Sequence, residues 1–111
     1  MGTLDRGQEL VDLLEGQGVR ATTDPALANP PCVLIIPPNL RFDLACAVDA
    51  DWQLAAIAPA ASTADRTVWG ALDELVDGVA KAVDLRNADL VSYVVNGRTY
   101  PAYLLSFTEG I

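Results

Sequence analysis

The chain has 111 residues, 51% of them apolar, a formal net charge of −8 and no histidine. That length suits one hydrophobic core and not two, so residues 1–111 are expected to form a single domain. The acid excess, with a pI near 4.1, argues against a direct grip on nucleic acid or anionic lipid. The missing imidazole removes the commonest general base and metal ligand.

In chain order, Thr3 is read as the cap of a helix running to about Glu15. It has Leu4, Val11 and Leu14 on one face, Leu10 beside them, and Asp5 in the first turn, where the helix dipole favours a carboxylate. Gly16 and Gly18 bracket the stop, one of them supplying the left-handed residue that ends the helix. Val19 to Thr23 suits a short strand, and Asp24-Pro25 starts a turn. The run Pro30-Pro31-Cys32-Val33-Leu34-Ile35-Ile36-Pro37-Pro38 predicts a short strand over 32–36, buried on both faces and closed at each end by proline. Asn39 to Asp43 reads as a loop or bend.

Leu44 to Ala58 predicts a long strand, with a bulge or exposed stretch at Asp49 and Asp51, since two carboxylates pointing one way want water. Ser62 to Asp65 resembles a capping box ahead of a helix whose stripe is Val68, Leu72, Leu75, Val76, Val79 and Val83. Leu90 to Val95, Asn96-Gly97 and Arg98 to Thr108 predict a hairpin, with Pro101 placing the last strand partly at an edge. The order is α-β-β-β-α-β-β. The fold expected is α+β: one mixed, largely antiparallel sheet with two helices packed on one face.

Chemistry is sparse. Cys32 and Cys46 lack the spacing of a zinc site and read as reduced, buried thiols, a bridge between neighbouring strands being the other option. No phosphate-binding loop or nucleophile elbow occurs. Asp43, Asp49 and Asp51 lie near one another and could hold a divalent cation or act as an acid/base pair, or could form a solvated loop and bulge. Trp52 reads as core or subunit interface. Arg41 and Arg66 are expected in loops at opposite ends of the long strand, as surface cations. No catalytic residue, metal or cofactor is expected, and the chain is read as no enzyme. Residues 1–5 lack the character of a signal peptide, and no apolar stretch approaches the ~18 residues that span a bilayer.

The segments Pro30 to Pro38, Phe42-Asp43 and Trp52 to Pro59, set between the two helices and the hairpin, resemble the tail terminator proteins of long-tailed (siphovirus-type) bacteriophages, the lambda-like tail terminator family. The resemblance runs from about Leu4 to Phe107. It implies a virion assembly protein that forms a hexameric ring at the head-proximal end of the tail tube. There it would stop tube polymerisation and give the head-completion (stopper) protein a docking surface, while DNA passes through without specific binding. The partners implied are further copies of the chain, the tail-tube protein and the stopper, with no membrane. Assembly would take place in the host cytoplasm. In such a ring Arg41, Asp43, Trp52 and Arg66 become candidate subunit or partner contacts, the two arginines facing acidic loops next door. A strand edge at Pro101 to Thr108, or at Val19 to Thr23, could extend the sheet between neighbours. Six copies at −8 each carry −48, and any charges facing the bore would repel DNA phosphates. The high mean hydropathy of +0.26 favours self-association. Competing readings are another head-tail connector or minor tail protein, and a small cytoplasmic α+β module that binds a ligand between helix and sheet.

Overall fold

The first helix, α1 (Thr3–Gly16), turns its buried positions Gly7, Leu10, Val11 and Leu14 inward at helical spacing. Gly2, not Thr3, is its N-cap, and no side chain caps it; Thr3 already lies inside the first turn. The helix ends as its glycines predict. Gly18 is left-handed (φ 79°), its N–H bonds the Glu15 carbonyl and the Val19 N–H bonds the Leu14 carbonyl, at 3.0 and 2.9 Å. This paired closure drops Val19 into the core beside Leu14.

The computed structural model describes residues 2–42, 48–59 and 66–110. After α1 come β1 (Ala21–Thr22), a single 3-10 turn over Pro25–Leu27 and β2 (Cys32–Phe42). The Asp24 carboxylate accepts the Ala26 N–H at 2.9 Å, so the expected Asp-Pro turn is formed. Then follow β3 (Val48–Ile57), α2 (Arg66–Ala82), β4 (Asn87–Val95) and β5 (Arg98–Gly110). The sheet order is β1-β2-β3-β5-β4, with β1 parallel to β2 and every other pair antiparallel. The α+β fold, its element order and its mixed sheet are as the sequence predicts.

Both helices cover one face. Leu10, Leu14, Leu75 and Val79 meet Val33, Ile35, Trp52, Leu54, Leu105 and Phe107 there. On the opposite face Cys32, Leu34, Ala55, Ile57 and Ala102 form a second apolar layer with Val95 and Ala28. Cys32 to Ile35 are therefore buried on both sides, as a continuous apolar run requires.

Further points differ from expectation, among them the extents of β1 (expected over Val19 to Thr23) and β4 (expected from Leu90). β2 does not stop at Pro37-Pro38 but continues to Phe42, where a loop was expected. Ile36 opposes Gln53 and Asn39 opposes Asp51, so β2 spends one extra residue there: a bulge, where proline's missing donor is harmless. The bulge thus falls on β2, while at Asp49 and Asp51 of β3 the other expectation holds: both carboxylates share one face and reach solvent. Next, β5 lies inside the sheet, and β4 is the edge. Pro101 is nevertheless accommodated, because its carbonyl accepts the Ala58 N–H at 3.0 Å just past the end of the β3 ladder. A strand residue's two polar groups point the same way, so its missing N–H falls where β3 has run out. Finally, Leu4 is 69% exposed instead of joining the α1 stripe, since the first turn overhangs the bulge. The α2 stripe and the Asn96-Gly97 turn (φ 49° and 79°) follow the sequence reading. Cys46, the Ser62–Asp65 box and residues 44–47 of the long-strand reading lie outside the described residues.

Candidate functional site

The bulge also decides where the charges go. Before it, odd-numbered residues of β2 (Val33, Ile35) face the helices; after it, even-numbered ones do, so Leu40 turns inward and Arg41 outward. Asp49, Asp51 and Thr108 share that outward face through the β2–β3 and β3–β5 registers. Arg41 Nε donates to Asp51 Oδ2 at 2.9 Å and its Nη2 to Oδ1 at 3.1 Å, a two-pronged pair, with Asp49 a further 3.9 Å contact. Thr108 Oγ1 donates to Asp51 Oδ1 at 2.7 Å.

These bonds, the one from Thr108 first and that from Arg41 second, hold the Asp51 carboxyl below the usual carboxylate range. The folded state therefore favours the ionised form. Its contribution to stability is present above the ordinary carboxylate pKa and is lost as pH falls through the lowered one. Thr108→Val is expected to move the Asp51 titration up toward that ordinary range. Carboxyl carbon shifts followed against pH check this, and an unmoved titration would assign the depression to Arg41 alone.

Of the four contact candidates, the structure places Arg41 inside β2, paired within its own subunit, and Arg66 at the start of α2, exposed. Neither sits in a loop. Asp43 lies outside the described residues. Trp52 is 1% exposed: its ring stacks on Phe107 with centroids 6.3 Å apart, and its Nε1 donates to Glu109 Oε1 at 3.0 Å. Glu109 also receives Arg6 Nε and Nη2 at 2.8 and 2.9 Å, which ties α1 to the end of β5. The Glu109 bond raises the Arg6 pKa above its usual value. Trp52 and its partners form a structural clamp, with the indole on the core side of the sheet.

For reactivity the described residues offer little. No group of three or more metal-ligating side chains occurs among them. Burial pushes the Cys32 thiol up, so it stays protonated and weakly nucleophilic. A cleft of about 120 Å³ lies between the start of α1 and the bulge, lined by Leu4, Ile35, Ile36, Pro37, Pro38 and Trp52 among others. It falls well short of the ~300 Å³ at which small-molecule pockets begin. No helix of the described residues is long and apolar enough to cross a membrane.

The more informative surface is apolar. Leu4, Leu13, Leu27, Phe42, Trp69, Leu90 and Val94 are 45–70% exposed and are spread over α1, the 3-10 turn, β2, α2 and β4. Sequence reasoning singled out none of them as a surface. Trp69 stands one place off the buried Val68 of the α2 stripe, and that offset is a sign in the sequence; Leu90 follows ordinary strand alternation and gives none. Comparison with protein-family models, with curated proteins and with solved structures gives no match for this chain.

Proposed function

We propose that this protein is a ring-forming virion assembly protein of the tail-terminator type. In this reading a ring of six subunits caps the head-proximal end of a phage tail tube, stops further addition of tube subunits and presents a face to the head-completion protein. DNA crosses the opening without being read.

One observation carries the reading: large apolar side chains stand exposed on five separate elements of a chain with net charge −8. A ring subunit has to bury two different lateral patches and at least one axial face, which calls for apolar surface in several places. A monomeric ligand-binding module needs one concave site, whereas here the exposed apolar side chains are spread over five elements and do not converge on one. The acidic surface suits a passage that DNA must traverse without sticking.

Light scattering on the purified chain, alone and with tail tubes, tests the reading. A species near 70 kDa, six times 11.8 kDa, supports it; a monomer under both conditions overturns it. Electron microscopy of tails assembled without the protein separates a terminator from a connector. Overlong tubes identify the terminator, whereas tails of normal length that fail to join heads identify a connector.

A further inference from the structure

Among the described residues β4 ends the sheet and pairs on one side only. The two-residue Asn96-Gly97 turn makes Val95 and Arg98 a mutually hydrogen-bonded pair. Alternation then points the backbone groups of 87, 89, 91, 93 and 95 at β5, and those of Ala88, Leu90, Ser92 and Val94 at the open side. Pro101 stands opposite Ser92, where the ladder asks for no bond between them. Four N–H and four C=O groups are thus presented in a row about 20 Å long. A long, straight edge without lysine, proline or a bulge is a template for another strand.

The side chains beside this edge specify what would be added. Those of Ala88, Leu90, Ser92 and Val94 face the helix side, but α2 rests over β3 and β5 and leaves Leu90 and Val94 uncovered. Between α2 and β4 runs a trough of about 500 Å³ lined by Asp73, Val76, Asp77, Ala88 and Tyr103. Trp69 stands one helical turn before Asp73, 63% exposed. Neither Asp73 nor Asp77 has an ion-pair partner among the described residues. On the other face of β4, Val91 and Tyr93 are half-buried and apolar.

We propose that the β4 edge is an acceptor site for an extended segment of a different protein, in which lysine or arginine alternates with apolar residues. The segment adds as a further strand. Its basic side chains lie on the helix side, their stems along Leu90 and Val94 and their cationic ends toward Asp73 and Asp77. Its apolar residues extend the layer begun by Val91 and Tyr93. A second copy of this chain fits poorly, since edge-to-edge pairing would set its own Asp73 and Asp77 against the first pair, on the same side of the joined sheet. The proposal does not depend on the ring.

A fluorescent, end-blocked heptapeptide of alternating lysine and valine is the probe, titrated into the full-length chain and followed by anisotropy. A control peptide has the same composition with its lysines and valines in two blocks. Binding of the alternating peptide at least about tenfold tighter than the control is expected. Ser92→Pro removes one outward N–H without touching the β5 ladder and should cost about tenfold. Joint Asp73→Asn and Asp77→Asn replacement should cost about threefold to tenfold and flatten the salt dependence. Should Ser92→Pro fail to fold by circular dichroism, Leu90→Lys, at an exposed position, takes its place with the same expectation. Equal affinity for both peptides, or an edge variant that binds like wild type, overturns the proposal as mere attraction between cations and an acidic protein. So does a peptide-free dimer that the edge variant dissociates, because the occupant would then be a second copy.

Discussion

Replacing Trp52 by alanine is expected to cost about 3–5 kcal/mol, the range for removing a large aromatic side chain from a core. Domains of this size are stable by only about 5–15 kcal/mol, so the variant should lose a large share of that margin. The magnitude follows from position. Trp52 is at once the bulkiest fully buried side chain, the partner that stacks on Phe107 and a donor to Glu109. It also stands opposite the β2 bulge and, with Ile35, Ile36, Pro37 and Pro38, lines the cleft beside it. Trp52→Phe separates these contributions. It keeps an aromatic ring against Phe107 but deletes the N–H and part of the ring; Glu109 retains both bonds from Arg6, so a loss of about 1 kcal/mol is expected from the hydrogen bond, with the cost of the smaller ring added to it. Urea titration by far-ultraviolet circular dichroism measures both, with the exposed Trp69 left as an independent fluorescent probe. An alanine variant within 1 kcal/mol of wild type would show that the helix–sheet core is anchored elsewhere.

How far the sequence reveals this fold depends on which physical rule each element obeys. The α2 stripe, the Gly18 stop and the Asn-Gly hairpin are local devices, with periodicity and backbone freedom written in adjacent residues. They are legible without knowledge of neighbours. Proline in a strand is different. Pro37-Pro38 and Pro101 end a strand only if the lost N–H was needed, and that depends on the adjoining strand. At Pro37-Pro38 a bulge removes the need, and at Pro101 the neighbouring strand has already ended. Misplacing the bulge carries over to the candidate site. Without it, Arg41 would count onto the buried face of β2; with it, Arg41 reaches Asp51 and Asp49 across the sheet. The exposed apolar surface is hidden for a related reason, because Leu90 and Val94 have ordinary strand periodicity and only the reach of α2 decides that they stay uncovered.

Gly78→Ala should reverse the usual sign of a glycine replacement in a helix. Alanine is the better helix former by about 1 kcal/mol, so the change would stabilise an exposed helix. Here Gly78 is buried in α2, and a Cβ built on it would overlap Val19 Cγ2, closer than non-bonded carbons tolerate. Val19 cannot turn aside cheaply. It is β-branched and therefore stiff at χ1, it is 6% exposed, and its backbone is fixed by the paired hydrogen bonds that end α1 at Gly18. Relief must come from moving α2 away from the α1 terminus, and overpacking of that kind costs about 1–3 kcal/mol before the propensity gain is subtracted. A net loss near 1–2 kcal/mol is expected, read as a lower urea midpoint at unchanged slope. The double variant Gly78→Ala with Val19→Ala isolates the cause. With the obstructing methyls gone, the added Cβ fills part of the space they leave, so the pair should be markedly less damaging than the sum of the single changes. Strict additivity would mean that the two residues do not compete for the same space, and that the close approach of α2 to the end of α1 is not what Gly78 provides.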